Sequence, residues 1–409
     1  MTVIDLGRAR PETSGGKAAA LGGLVRSGMP VPSGFVVPTS EYLRHVGRAD
    51  GSLVDPERIL GLELADDLVA AIDRALRRLT GAGGTGRVAV RSSATSEDSI
   101  GASAAGQHES VLAVRGTDAV CEAILRCWAS LWSPHAVAYR GHRRPCSGSS
   151  PEMAILVQEF IDADTSGVLF TGSVRMLEAT RGLGDQLAGG QVTPDAWQID
   201  DTGITELRTA ERTEPSARHE EGLRPRQGPR RQHAASSLRD EQVHALDELG
   251  RRVTRELGAP ADIEWALTGQ QIHILQARPI TAAPPQPQSQ PQRAPQKGSG
   301  GTALHGVPAS AGIATGTVRL VAGPADFRRG GPGDVLVCQH TDPAWTPLFQ
   351  IAAAVVTEIG GVLSHAAIVA REVGIPAVLA VPEARRTLPE GTIVTVDGDA
   401  GSIRLGRPG

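Results

Sequence analysis

Lysine and aromatic residues are nearly missing from this 409-residue chain. It has 5 Phe, 5 Trp and 2 Tyr, and of its 41 lysines and arginines only Lys17 and Lys297 are lysines. Positive charge is not in excess either. The net charge is -4, which excludes the broad basic footprint of a nucleic-acid-binding surface. The four cysteines (Cys121, Cys127, Cys146 and Cys338) are scattered without a CxxC pair, which excludes a disulfide framework or a zinc knuckle. No apolar run approaches the roughly 20 residues that span a bilayer, and the opening MTVIDLGRAR has no apolar signal core. The reading is a soluble cytoplasmic protein with neither nucleic acid nor membrane as a partner. The chain is 40% hydrophobic. At roughly 150 residues per domain, that length and composition predict two or three domains with ample cores.

Residues 282–300, AAPPQPQSQPQRAPQKGSG, are dominated by Pro, Gln and Ser and cannot bury a core. Such a linker extends about 3.1 Å per residue, or roughly 60 Å in all. It separates a first block, 1–281, from a second, 301–409. Within the first, 211–237 reads as a long polar loop. Helical spacing of apolar residues predicts a helix over 59–79 and another over 120–140, among short β-rich runs at 87–90, 155–157, 167–171 and 272–275. The second block predicts strands at 317–321, 335–338, 353–357, 377–381 and 393–396, one helix from about Ser364 to Val373, and a hairpin turn in DGDAGS. The fold class is α/β multidomain.

Lys17 is the only lysine in a segment expected to fold. A lysine offers a compact point charge and an arginine a planar fork. Lys17 is therefore either chance in an Arg-rich composition or a position where a fork does not fit. His365 follows a Gly-Gly turn and Ser364, a natural N-cap, so it sits in the first turn of the predicted helix. The positive end of a helix disfavours an imidazolium and favours an anion. A histidine there should stay neutral, with a nucleophilic ring nitrogen suited to covalent phosphoryl carriage, unless it merely caps or packs.

At this point the motifs become specific. Residues 354–380, AVVTEIGGVLSHAAIVAREVGIPAVLA, together with 333–349 and 391–405, resemble the phosphohistidine swivelling domain of the phosphoenolpyruvate synthase, pyruvate phosphate dikinase and rifampicin phosphotransferase superfamily. The resemblance implies a β/β/α domain in which His365 carries the phosphoryl group. Residues 14–37, 88–110, 153–171 and 262–281 are similar to successive signatures of the family's ATP-grasp-like nucleotide-binding domain. It implies that Lys17 and Arg91 meet phosphates and that Gly106, Gln107 and Ser110 form a phosphate loop. Gln158, Phe160 and Ile161 would line the adenine hinge. Glu264 and Gln276 would hold Mg²⁺, and Arg278 the terminal phosphate. Departures are Ala104 in place of a bulky aromatic, Ser110 for Thr, and Asp185 for Glu.

The expected organisation is an ATP-grasp-like domain over 1–281, a linker over 282–300 and a swivelling phosphohistidine domain over 301–409, without the family's TIM barrel. The expected activity is an ATP-dependent, dikinase-type phosphotransferase. It would pass the β-phosphoryl of ATP through phospho-His365 to a small-molecule acceptor, or to one bound on a separate subunit, with AMP and phosphate as co-products. A non-catalytic regulatory phosphocarrier and the ATP/His half of a split phosphoenolpyruvate synthase are the alternatives.

Overall fold

The computed structural model describes residues 2–47, 54–81, 86–95, 109–134, 136–137, 151–209, 236–280, 303–341 and 345–406. The proposed linker at 282–300 and most of the polar loop at 211–237 lie outside these, as do Gly106 and Gln107. The chain forms two compact units. One comprises Met1–Leu177, Arg181–Gly184 and Glu211–Ile280, and the other Glu178–Thr180, Asp185–Ala210 and Thr281–Gly409.

The first unit has a five-stranded antiparallel sheet in the order β1-β2-β5-β3-β4, built from β1 (Ile4–Asp5), β2 (Gly34–Val37), β3 (Val88–Ala94), β4 (Ser110–Val114) and β5 (Met153–Glu159). Helices α1 (Pro11–Arg26), α2 (Thr39–His45), α3 (Pro56–Leu60), α4 (Asp66–Thr80) and α5 (Thr117–Ser130) accompany it. Trp128, Tyr42, Ile72, Ile124 and Val90 share its core. The helix predicted over 59–79 is two helices. Gly61 caps the end of α3, and a new helix starts only at Asp66, so the apolar spacing runs across a break between two helices. A second group of strands, β6 (Thr165–Phe170), β10 (Ala261–Thr268) and β11 (Gln271–Pro279), pairs antiparallel with β10 in the middle.

Strand β7 (Arg175–Arg181) is divided between the units. The second unit contains helix α6 (Asp185–Ala188) and the hairpin of β8 (Asp195–Asp200) with β9 (Gly203–Arg208). Back in the first unit, α7 (Asp240–Leu257) precedes β10 and ends on Gly258 in the left-handed conformation.

The rest of the second unit is layered and opens with β12 (Ala303–His305), which pairs antiparallel with the final strand. Strands β14 (Ile313–Leu320), β15 (Val335–Cys338), β16 (Ala354–Thr357) and β17 (Ala377–Leu379) pair in parallel, and β13 (Val307–Ser310) adds antiparallel to β17. Alternation along the strands sends side chains to two cores. Leu336, Cys338, Val355 and Leu379 pack with Ala366, Ala367 and Ala370 of α9 (His365–Val373) and with α8 (Thr346–Phe349). Val335, Val337 and Val356 pack instead with Val394, Val396 and Ile403 of β18 (Ile393–Asp397) and β19 (Ser402–Leu405). Both faces of the parallel strands are therefore covered, which is why they read as unbroken apolar runs. The strands at 335–338 and 393–396, the helix at 364–373 and the DGDAGS hairpin all fall where the sequence placed them.

Candidate functional sites in the two units

In the first unit the β10–β11 hairpin does most of the positioning. Asp262 pairs with Arg278 and Glu264 with Gln276 across the two strands. Residues two apart on a strand share a face, and cross-strand partners share it too, so these four side chains stand together. Arg91 on β3 joins them: its Nη2 donates to Glu264 Oε2 at 2.9 Å and its Nη1 to the Leu275 carbonyl at 2.5 Å. A bulge between Glu264 and Trp265 sets the register that keeps this cluster on one side. Gln276 is buried, and Glu264 keeps 31% of its side chain exposed.

Arg278 is not waiting with an empty fork. Its Nε and Nη2 both donate to Asp262 Oδ2, at 2.9 and 2.7 Å. The sequence reading missed Asp262. The available signal was its register, two residues before Glu264 in DIEW and opposite Arg278 in a tight hairpin.

Lys17 sits on α1, which packs against β3, β5 and β11. The helix kinks at Gly15, whose φ of 70° and ψ of 170° are not helical. A Cβ on Gly15 would lie 2.1 Å from the Ser93 carbonyl oxygen, so only glycine admits this approach. Ser93 fastens the kink, donating to the Ser14 carbonyl at 2.7 Å and accepting from the Ala18 N–H at 3.1 Å. Lys17 thus falls in the first turn after the kink, beside the strand that bears Arg91.

The expected adenine hinge follows β5. Gln158 is 2% exposed, and its amide donates to the Pro32 carbonyl at 3.0 Å. The Phe160 N–H donates to the Arg87 carbonyl at 3.0 Å, and Ile161 is half-buried. Ser110 is exposed at the start of β4. Arg91, Glu264, Gln276 and Arg278 are thus brought together directly, whereas Gln158 is engaged with the backbone beside it. Among the described residues no group of three or more His, Cys, Asp and Glu side chains is placed to hold a metal.

In the second unit, His365 is the first residue of α9, as the sequence predicted. It is 4% exposed. Ser364 occupies the N-cap position with extended backbone, yet its hydroxyl makes no cap bond. The hydroxyl donates instead to the Gly361 carbonyl at 2.8 Å. Gly360 has a φ of 128°, a conformation that suits glycine. Arg371, two turns along the helix, donates to the carbonyls of Ala309 and Val362 at 2.9 Å each, tying the loop to its own helix. Gly374 in the left-handed conformation ends α9. Glu178, buried beside the loop, has its carboxyl pushed upward by burial, against the pull of Arg208 and of the N–H groups of Leu363 and Val362.

Among the described cysteines, Cys121, Cys127 and Cys338 are free thiols. Burial pushes Cys121 up to about 11, so it is not a thiolate nucleophile near neutrality. No helix among the described residues is long and apolar enough to cross a membrane.

Comparison with known proteins finds two family matches and a set of similar full-length enzymes. Residues 330–401, which include His365, match the mobile domain of PEP-utilising enzymes. The chain is 35% identical to a probable phosphoenolpyruvate synthase of Archaeoglobus fulgidus, across 96% of this chain and 56% of that protein. It is 34% identical to the phosphoenolpyruvate synthase of Aeropyrum pernix, with the same two shares, and 30% identical to that of Escherichia coli, across 98% of this chain and 57% of that protein. The chain thus spans a little over half the length of these relatives. Residues 56–298 match the pyruvate phosphate dikinase AMP/ATP-binding domain, a span that holds Arg91, Glu264, Gln276 and Arg278 but not Lys17. As that match covers more than half of the chain, the protein belongs to the pyruvate phosphate dikinase AMP/ATP-binding domain family, within the PEP-utilising enzymes.

Proposed function

We propose that this chain is the ATP-using, phosphohistidine-carrying part of a dikinase-type phosphotransferase. The observation that carries the reading is a histidine at the start of a helix, behind a Gly-Gly loop, inside a match to the mobile domain, in a chain that also matches an AMP/ATP-binding domain. A ring nitrogen of His365 attacks the β-phosphorus of ATP. The bond from that phosphorus to the bridging α-phosphate oxygen breaks, and AMP leaves. The γ-phosphoryl group is then lost to water as phosphate, leaving one phosphoryl group on the histidine for an acceptor.

In this reading the first unit is an ATP-grasp-like domain. Lys17 places a point charge on a phosphate oxygen, and Arg91 and Arg278 offer planar donors. Ser110 borders the phosphates, a role the resemblance also implies for Gly106 and Gln107, and Gln158, Phe160 and Ile161 lie along the base. Glu264 and Gln276 fit Mg²⁺: they are hard oxygen donors paired across two strands, and Mg²⁺ usually takes one or two protein oxygens plus phosphates and water. When bound, the ion neutralises phosphate charge. Arg91 orients the Glu264 carboxylate, and Asp262 orients Arg278.

The relatives' names make phosphoenolpyruvate the product to test first, with pyruvate as the acceptor. The shares of their length that this chain spans favour a second reading, the ATP/His half of a larger or split synthase. The deciding experiment is incubation with [β-³²P]ATP and Mg²⁺. Acid-labile label on the wild type and none on His365→Ala is the expected result. Bound ATP without label on the wild type would reject the enzyme in favour of a regulatory phosphocarrier.

A further inference from the structure

Glu178 stands on β7 with its side chain fully buried. Its Oε1 accepts the Val362 N–H at 2.8 Å and its Oε2 accepts the Leu363 N–H at 3.1 Å. Both N–H groups belong to the loop that delivers His365 to the head of α9. Arg208 on β9 brings Nη2 to 3.6 Å from the carboxylate. Gly361 completes the fit, because a Cβ there would come within 2.4 Å of both carboxylate oxygens. The same compact unit touches the loop twice more. The Gly360 N–H donates to Thr193 Oγ1 at 3.4 Å, and a Cβ on Gly190 would lie 3.4 Å from the Ser364 Cβ.

Burying a carboxylate costs free energy unless charge and hydrogen bonds compensate, and an apolar residue would fill the same space without that cost. What the acid alone supplies is a pair of directed acceptors for two consecutive peptide N–H groups. Those bonds fix two peptide planes just ahead of His365, and with them the direction from which the imidazole enters. We propose that Glu178 is a positioning residue for His365, clasping the Gly-Gly loop by its backbone so that the ring meets the phosphoryl donor in one geometry. This rests on the reading of His365 as the phosphoryl carrier.

Glu178→Gln keeps the volume but offers one acceptor and one donor, so one peptide N–H must face an NH₂ group. ATP affinity, measured by equilibrium dialysis, and the KM for ATP should stay at wild-type values. The kcat for His365 labelling should fall about tenfold or more. Gly361→Ala intrudes on the clasp from the other side and should give the same split, and the double variant should be no worse than the poorer single one. Wild-type labelling by a folded Glu178→Gln or Gly361→Ala protein overturns the proposal. Should neither variant fold, or should the wild type take no label (which would defeat the carrier reading itself), amide hydrogen exchange of the wild type decides. Slow exchange at Val362 and Leu363 supports the clasp, and exchange at the rate of an open loop overturns it.

Discussion

Lys17 and Arg278 reach the proposed phosphate site by different physics, and their removal should differ accordingly. Lys17 stands just past a kink that Gly15 and Ser93 secure. Lys17→Ala should keep the kink and the fold, read by circular dichroism, while β-phosphoryl labelling of His365 drops about 10²-fold or more. Unchanged labelling would remove Lys17 from the phosphate site. Arg278 is bonded twice to the buried Asp262. Arg278→Ala should abolish labelling and also destabilise the protein by about 3 kcal/mol, because a buried carboxylate loses its partner. Adding Asp262→Asn should restore much of that stability in urea titrations and none of the labelling. A variant as stable as the wild type would mean the pair is not a buried ion pair in solution.

At the scale of elements, the kink in α1 is the feature most exposed to a single substitution. Gly15→Ala forces a side chain to a φ of 70° and against the Ser93 carbonyl. It should cost at least about 2 kcal/mol, read by chemical denaturation. A smaller cost would mean that the helix straightens and slides off β3. A second element is pinned by charge. Glu390, in the turn before β18, accepts from the Leu320 N–H at 2.7 Å and from Arg319 and Arg329 at 2.8 and 2.9 Å. Burial pushes its carboxyl up, but the Leu320 N–H and the two guanidinium groups outweigh it, and the net shift is downward. A carboxyl lowered on folding contributes stability above its unfolded value that fades as pH falls through the folded one. Glu390→Gln should thus lower stability by about 0.5–1 kcal/mol at pH 7, and the gap to the wild type should close below about pH 4. A gap that persists in acid would show that the carboxylate charge is not what pins the turn.

The same scale explains which elements the sequence revealed. Strands 335–338 and 393–396 are apolar runs buried on both faces or cleanly alternating, so composition and turn residues bound them closely. Strand β7 was not read, because Arg175, Glu178 and Arg181 interrupt its apolar pattern. In the fold the first two are absorbed by Asp247 and Arg208, partners that only tertiary structure supplies. The site shows the same division. His365, Glu264, Gln276 and Arg278 sit in long motifs, which makes them legible as candidates. Asp262 bonds to a partner 16 residues away across a hairpin whose register offered a signal, whereas Glu178 bonds to a loop 184 residues away, a relation that local spacing does not encode.

For the whole molecule, the proposal asks one histidine to serve a nucleotide and an acceptor, so the expected linker over 282–300 becomes a mechanical part. Residues 282–300 lie outside the described residues, but their composition carries an expectation. A Pro- and Gln-rich stretch reaches about 3.1 Å per residue, so deleting about ten residues removes roughly 30 Å of reach. Effective concentration collapses when a tether can no longer span its two sites and falls only slowly when it is merely longer than needed. Deletion should therefore act as a threshold: labelling of His365 from [β-³²P]ATP, or discharge of the label to pyruvate added as trial acceptor, should drop at least tenfold, while ATP affinity stays unchanged. Replacing the deleted residues with a Gly/Ser segment of equal number should restore the lost step, since reach rather than sequence is what the step requires. If the shortened chain performs both steps at wild-type rates, the histidine travels by some route other than this tether.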